Sequence, residues 1–290
     1  MKKLIFTFLI ICSLQIFAQI KTPSDFDFST SFYEAENRYI VFSPKTNDTK
    51  LILGMPYVDP TAGYSYKYFG NLIVENEKLK FVPADENGSM IARWQNLDLK
   101  VAVLSDERVK EFKLANPPEF LKFYKSNKPE KDFLVDKLSF MNGAGFPKLA
   151  LPKLEQLRKD NYKSEKFYFE LAFAYNALEQ NAKAEEVVDE AEKNNFHSEL
   201  LIKEKHYSML HQNKLIPASE YLQQNFSNFR TKNFKSESIV NQIINFSNHQ
   251  DSKNAEKWIQ IYKKEIGEDQ YKTHVENIKK KLKGIYWLLC

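Results

Sequence analysis

The apolar positions of this chain follow two different periods, and the change comes near residue 126. Ahead of it, short apolar or alternating runs stand between turn-forming clusters. Tyr39-Ile40-Val41-Phe42 and Lys50-Leu51-Ile52-Leu53 read as strands, with the turn cluster Ser43 to Thr49 between them. Met55 to Gly63 holds Pro56, Pro60 and Gly63, which predicts a loop. Tyr64 to Phe69, Asn71 to Val74, Lys78 to Val82, Met90 to Trp94 and Leu97 to Val103 read as further strands. In the last, Leu97, Leu99, Val101 and Val103 alternate with Asp98, Lys100 and Ala102, so one face is apolar. Short strands at this spacing predict a small antiparallel sheet, barrel or sandwich. Ser105 to Glu107 reads as a helix start, and Val109 to Leu114 as a short helix. Asn116-Pro117-Pro118 stops it, and Glu119 to Tyr124 forms one more turn. The charged, proline-containing stretch Ser126 to Lys131 marks the boundary between a β-rich domain, 19–125, and a helical domain, 126–283.

Beyond that boundary the apolar spacing becomes three and four. It is clearest from Lys166 to Asn194. Phe167, Leu171, Ala174 and Tyr175 share one helical face, and Tyr168, Ala172 and Tyr175 an adjoining one. After a polar break at Gln180-Asn181, Ala184, Val188 and Ala191 form the stripe of a second helix. Glu185, Glu186, Asp189, Glu190 and Glu192 lie mostly outside that stripe. Ala172, Ala184 and Ala191 carry no bulk beyond Cβ, so two helix backbones can approach closely.

This helical hairpin resembles a tetratricopeptide repeat. Tyr168, Leu171, Ala172, Tyr175, Ala184, Val188 and Ala191 occupy the pattern positions of that family. Tyr168 replaces the usual Trp, Ala172 the usual Gly, and Phe196 stands where a Pro closes the motif. The family's period of about 34 residues leads back to Leu138, Met141, Ala150, Leu154 and Leu157, and forward to Ile202, His206, Met209, Ala218 and Leu222. A slightly longer step reaches Ile239, Ile243 and Phe246, then Ala255, Trp258 and Tyr262. The resemblance implies about four hairpins from Lys131 to Gly267 and a capping helix from Asp269 to Lys283. The expected fold class is therefore α+β in two domains: a small antiparallel β domain, then an α-solenoid of TPR-like helical hairpins.

Composition changes this picture only at the ends. The 23 Phe and 15 Tyr suffice for a substantial core, and the net charge of +4 comes from interleaved signs, so no nucleic-acid footprint is expected. Lys2-Lys3, the apolar run Leu4 to Leu14 and Ala18 read as a secretory signal peptide, 1–18, cleaved after Ala18. Its ending, Phe17-Ala18-Gln19, resembles Bacteroidetes secretory signals. Periplasmic or secreted localisation follows from this reading. Leu9-Ile10-Ile11-Cys12 loosely resembles a lipoprotein box, but Ile11 is not small and the apolar run continues past Cys12, so an ordinary residue of that run is expected there in place of lipidation. After cleavage Cys290 is the one remaining cysteine, so no intramolecular disulfide is expected. Gly284 stops the last helix, and the apolar tail 284–290 is too short to span a bilayer. It is expected to fold back over the last hairpin; insertion into a partner, or peripheral contact with an anionic membrane beside the Lys279 to Lys283 run, is the second reading.

No nucleotide-binding, metalloprotease, Cys-pair or nucleophile-elbow motif occurs, and no two of His197, His206, His211, His249 and His274 stand at i, i+4 spacing. No catalytic, cofactor or metal residue is therefore assigned. His206 reads as a buried packing histidine with a hydrogen-bond partner. The leading expectation is an exported, non-enzymatic scaffold or adaptor that binds a protein or peptide, with Lys166, Glu170 and Asn176 turned away from the packing stripe to meet it. The alternative is a glycan or cell-wall module in which Tyr64, Tyr66 and Tyr68 form a stacking platform. A hydrolase assembled only in space is a third, weaker possibility.

Overall fold

The computed structural model describes residues 26–45, 48, 50–75, 78–85 and 90–284. The signal-peptide reading of 1–18, the readings of Cys12 and Cys290, and the tail beyond Gly284 lie outside them. The chain divides into two compact units between Lys125 and Ser126. It is an α+β protein, with an antiparallel sheet followed by helices.

The strands are β1 (Thr30–Ser31), β2 (Ile40–Phe42), β3 (Leu51–Asp59), β4 (Gly63–Glu75), β5 (Lys78–Pro83), β6 (Ile91–Arg93) and β7 (Lys100–Val103). They pair in the order β1-β7-β2-β3-β4-β5, with β6 also on β4. Successive side chains point to opposite faces, and here both faces are covered. Tyr39, Val41, Leu53, Met55, Leu72 and Ala102 enter one core with Val109 and Phe112 of α1 (Asp106–Glu111) and its C-cap. Ile40, Tyr66 and Val101 enter the other with Phe32 and Ala35, against Phe42 and Trp94. Trp94 stacks on Phe32 at 4.9 Å.

Two sequence expectations change here. Met55 to Asp59 is strand, not loop, because β2 pairs with β3 only at Leu53 and Gly54. Beyond them no strand pairs with that edge of β3, where the Asn37 N–H donates to the Pro56 carbonyl (2.7 Å), so Pro56 is accepted without a lost ladder bond. Tyr64 to Val74 is one long strand, because Gly70 carries a bulge instead of a turn: the β3 register slips between Leu53 and Gly54. Gly70 has φ 145°, and a Cβ there would lie 2.2 Å from the Val82 carbonyl oxygen.

The second unit holds α2 (Glu130–Gly143), α3 (Pro147–Lys159), α4 (Glu165–Ala177), α5 (Asn181–Lys193), α6 (Glu199–His211), α7 (Leu215–Gln224), α8 (Lys232–Asn248), α9 (Ser252–Glu265) and α10 (Lys272–Leu282). We call α2, α4, α6, α8 and α10 first helices and α3, α5, α7 and α9 second helices. Of the first helices, α2, α4, α6 and α8 each pack on their own second helix and on the next first helix. The connections are short, so neighbours run antiparallel. First helices end at Gly143, Ala177 and His211, and second helices begin at Pro147, Asn181 and Leu215, both in steps of about 34 residues. Equivalent positions are buried alike: Leu138, Ala172 and His206 are at most 1% exposed, as are Ala150, Ala184 and Ala218. Ser164 and Ser198 cap α4 and α6 identically, each accepting from the backbone N–H three residues on.

The helix ends share a device. Asn161, Glu179, Asn195, Asn213 and Gln250 all lie at φ between 54° and 64°. At α4 the Glu179 N–H donates to the Asn176 carbonyl (3.0 Å) and the Gln180 N–H to that of Tyr175 (2.9 Å). This double bond pattern closes the helix and reverses the chain. A side chain in that backbone region costs about 1–2 kcal/mol. Glu179→Gly and Gln250→Gly should therefore each raise stability, by about 0.5–1 kcal/mol, measured by urea denaturation; a loss would show that these side chains hold the turns. In the sheet, the Tyr66 hydroxyl is enclosed without a hydrogen-bond partner. Tyr66→Phe should leave stability unchanged or raise it by about 1 kcal/mol, and a drop of that size would reveal a partner.

Candidate functional site

The first helices present one side chain face that no second helix covers. On it, α4, α6 and α8 enclose a groove of about 380 Å³. Phe169 and Phe173, one turn apart on α4, and Leu200 and Tyr207 of α6 supply its apolar lining. Phe169 and Phe173 are half-buried, and Tyr207 is 38% exposed. Asn176, Lys203, Glu204, Glu237, Ser238 and Asn241 supply the polar lining.

The polar residues are held by bonds between successive first helices. The Asn176 Nδ2 group donates to the Glu204 carbonyl (3.0 Å) and to Glu204 Oε2 (2.8 Å). One repeat earlier, Asn142 Nδ2 donates to the Glu170 carbonyl (3.0 Å) and to Glu170 Oε2 (2.8 Å). The third junction uses other chemistry. His206 Nε2–H donates to Gln242 Oε1 at 2.9 Å, because the Gln242 amide nitrogen is spent on the Leu215 carbonyl (3.2 Å). Lys203 pairs with Glu237 at 2.7 Å, and its ammonium lies 4.3 Å from the Phe234 ring centre.

Burial sets the electrostatics. It raises the Glu204 carboxyl to about 7, against the lowering effects of Asn176 and Lys203, with Glu170 and Glu237 adding to the rise. Burial also raises Glu170, opposed by Ser139 and Asn142. It lowers His206 to about 4, so the ring is neutral. Asp136 is the converse case. Burial pushes its carboxyl up, yet hydrogen bonds from Lys128 (2.6 Å) and Lys166 (2.7 Å) hold it below the ordinary range.

The residues expected to face a partner are placed differently. Glu170 and Asn176 are 4% and 6% exposed and bridge neighbouring first helices, instead of projecting from the stack. Lys166 is half-exposed but paired with Asp136. Tyr64 and Tyr66 are 6% and 3% exposed, so neither offers a ring face to solvent. Tyr68 is half-buried, and its hydroxyl accepts from Asn71 Nδ2 at 2.6 Å. Tyr66 fills the space left by Gly54, where a Cβ would lie 2.2 Å from its ring. The acidic face of α5 is likewise engaged. Arg158 reaches Glu190 (2.6 Å), Lys205 reaches Asp189 (2.6 Å) and Glu192 (2.7 Å), and Lys214 reaches Glu185 (2.8 Å). Phe169, Phe173, Glu204 and Tyr207 were not singled out by the sequence reading. A usable signal existed: Phe169 and Phe173 are large apolar residues off the packing stripe, and Glu204 follows Glu170 at the spacing of about 34 residues that separates the helix pairs.

Among the described residues, no helix is long and apolar enough to cross a membrane. Comparison with protein-family models, curated proteins and solved structures gives no match.

The raised Glu204 carboxyl has a thermodynamic sign. Its folded form holds the proton more tightly than the unfolded chain does, so its contribution to stability is full below about 4.5 and is lost as the pH rises through about 7. His206 acts in the opposite sense, and a comparison at fixed pH cancels its effect. Glu204→Gln should therefore gain melting temperature over the parent at pH 8 relative to pH 5. An offset that is the same at both pH values would contradict the raised carboxyl.

Proposed function

We propose that this protein is an exported, non-enzymatic scaffold or adaptor that holds an extended peptide segment of a partner on the first-helix face of a TPR-like array. One observation carries the reading: Phe169, Phe173 and Tyr207, from two successive first helices, line a preformed groove with solvent access. A soluble protein rarely leaves clustered aromatics accessible in a concave surface without a ligand for them. The repeating burial at equivalent positions of three successive helix pairs supports the family resemblance. Export rests on the sequence of residues 1–18 alone.

Selection of a displayed random dodecapeptide library on the full chain tests this. Enriched peptides should lose at least about tenfold in affinity, about 1.4 kcal/mol, on Phe173→Asp and on Tyr207→Ala. Failure to enrich any peptide sensitive to these substitutions would sink the reading.

A further inference from the structure

The groove's lining is unbalanced in charge. Lys203, the cation among the described lining residues, is neutralised by Glu237 at 2.7 Å and rests on the Phe234 ring. Glu204 has no such partner: its carboxyl accepts one hydrogen bond, from Asn176. That bond fixes its position, because both Asn176 donor contacts run to Glu204 and the other amide oxygen is enclosed and unbonded. What remains is a held acceptor in a groove lined by aromatic rings, where Lys203 is paired with Glu237. Aromatic faces favour a cation placed over them, and a carboxylate at their edge adds to that preference.

We infer that the groove selects a peptide segment with a lysine or arginine beside an apolar side chain. The cation docks on Glu204, and the apolar neighbour lies on Phe169, Phe173 and Tyr207. This rests on the peptide-binding reading and adds the chemistry of the ligand.

A pH dependence follows. The groups facing Glu204 are Lys203 and Tyr207 on its own helix, Glu170 on α4 and Glu237 on α8, while Glu179, just after α4, faces Tyr207. Lys203 and Glu237 compensate each other. Docking a cation requires the ionised form of Glu204, which is the minor form at pH 6 and the major form at pH 8. Apparent affinity scales with the competent fraction, so it should rise about tenfold between these values.

The test takes peptides selected on the full chain and measures fluorescence polarisation at pH 6 and pH 8. Three arms are compared: the parent pair, Glu204→Gln, and the parent protein with norleucine replacing the peptide's basic residue. The expected result is a basic residue in the selected peptides, tighter binding at pH 8, and loss of both the affinity and the pH trend in the other two arms. Should Glu204→Gln fail to fold by circular dichroism, the norleucine arm decides the question on the parent protein. Peptides that bind in a Phe173-sensitive way but lack a basic residue, or are indifferent to norleucine, overturn this inference and leave the peptide groove standing. Absence of any Phe173-sensitive peptide overturns both.

Discussion

The helical unit depends on close contact between consecutive first helices. Small residues permit close approach on both kinds of helix: Ala172 of α4, a first helix, and Ala184 and Ala191 of α5, a second helix, are fully buried with nothing beyond Cβ. With the backbones that close, polar groups at the junction cannot reach water and must bond to each other. The asparagine that spans from one first helix to the glutamate of the next is the answer twice over, at Asn142 and at Asn176. The glutamates so held are partly desolvated, and the electrostatic character of the groove descends from that. Packing, hydrogen bonding and the properties of the concave surface are one set of constraints viewed at different distances.

The sheet unit obeys a different requirement. It is covered on both faces, which explains its many aromatic residues: Tyr57, Tyr64 and Tyr66 are interior side chains rather than a display. Rings from both strand and 3₁₀ segments fill the space, as where Tyr57 meets Phe120 edge-on at 5.2 Å. Small residues again set the geometry, with Gly54 leaving room for a ring and Gly70 for a neighbouring backbone. Large aromatics and glycines in one short stretch are therefore complementary parts of one packing solution.

Much of the helical half was readable from spacing, because a period of three and four over a dozen residues admits few other structures. The strands were harder. Pro56 suggested a loop, and only the partial pairing of β2 makes it tolerable in a strand. Gly70 suggested a break, and only the register slip makes it a bulge. The site was the least readable part. Glu170 and Asn176 were correctly noticed as polar residues outside the apolar stripe, but periodicity gives direction within one helix, not what stands opposite. The face they occupy is covered by the next first helix, and that is a tertiary fact. Phe169 and Phe173 lie off the packing stripe, but spacing within one helix does not tell that the neighbouring first helices leave them lining a groove.

The interval between helix pairs is about 34 residues across α2 to α7; the connection before α8 is then longer, with a 3₁₀ turn at Phe226–Asn228, α8 itself is longer, and the asparagine–glutamate bond gives way to His206 and Gln242. In an array whose parts touch only their neighbours, such a change is a weak link in cooperativity. The apolar cluster around Trp258, Phe246 and Tyr262 spans this junction, taking in Leu222 of α7. That shared core holds α8 to α7 where the asparagine–glutamate bond of the earlier junctions is lost.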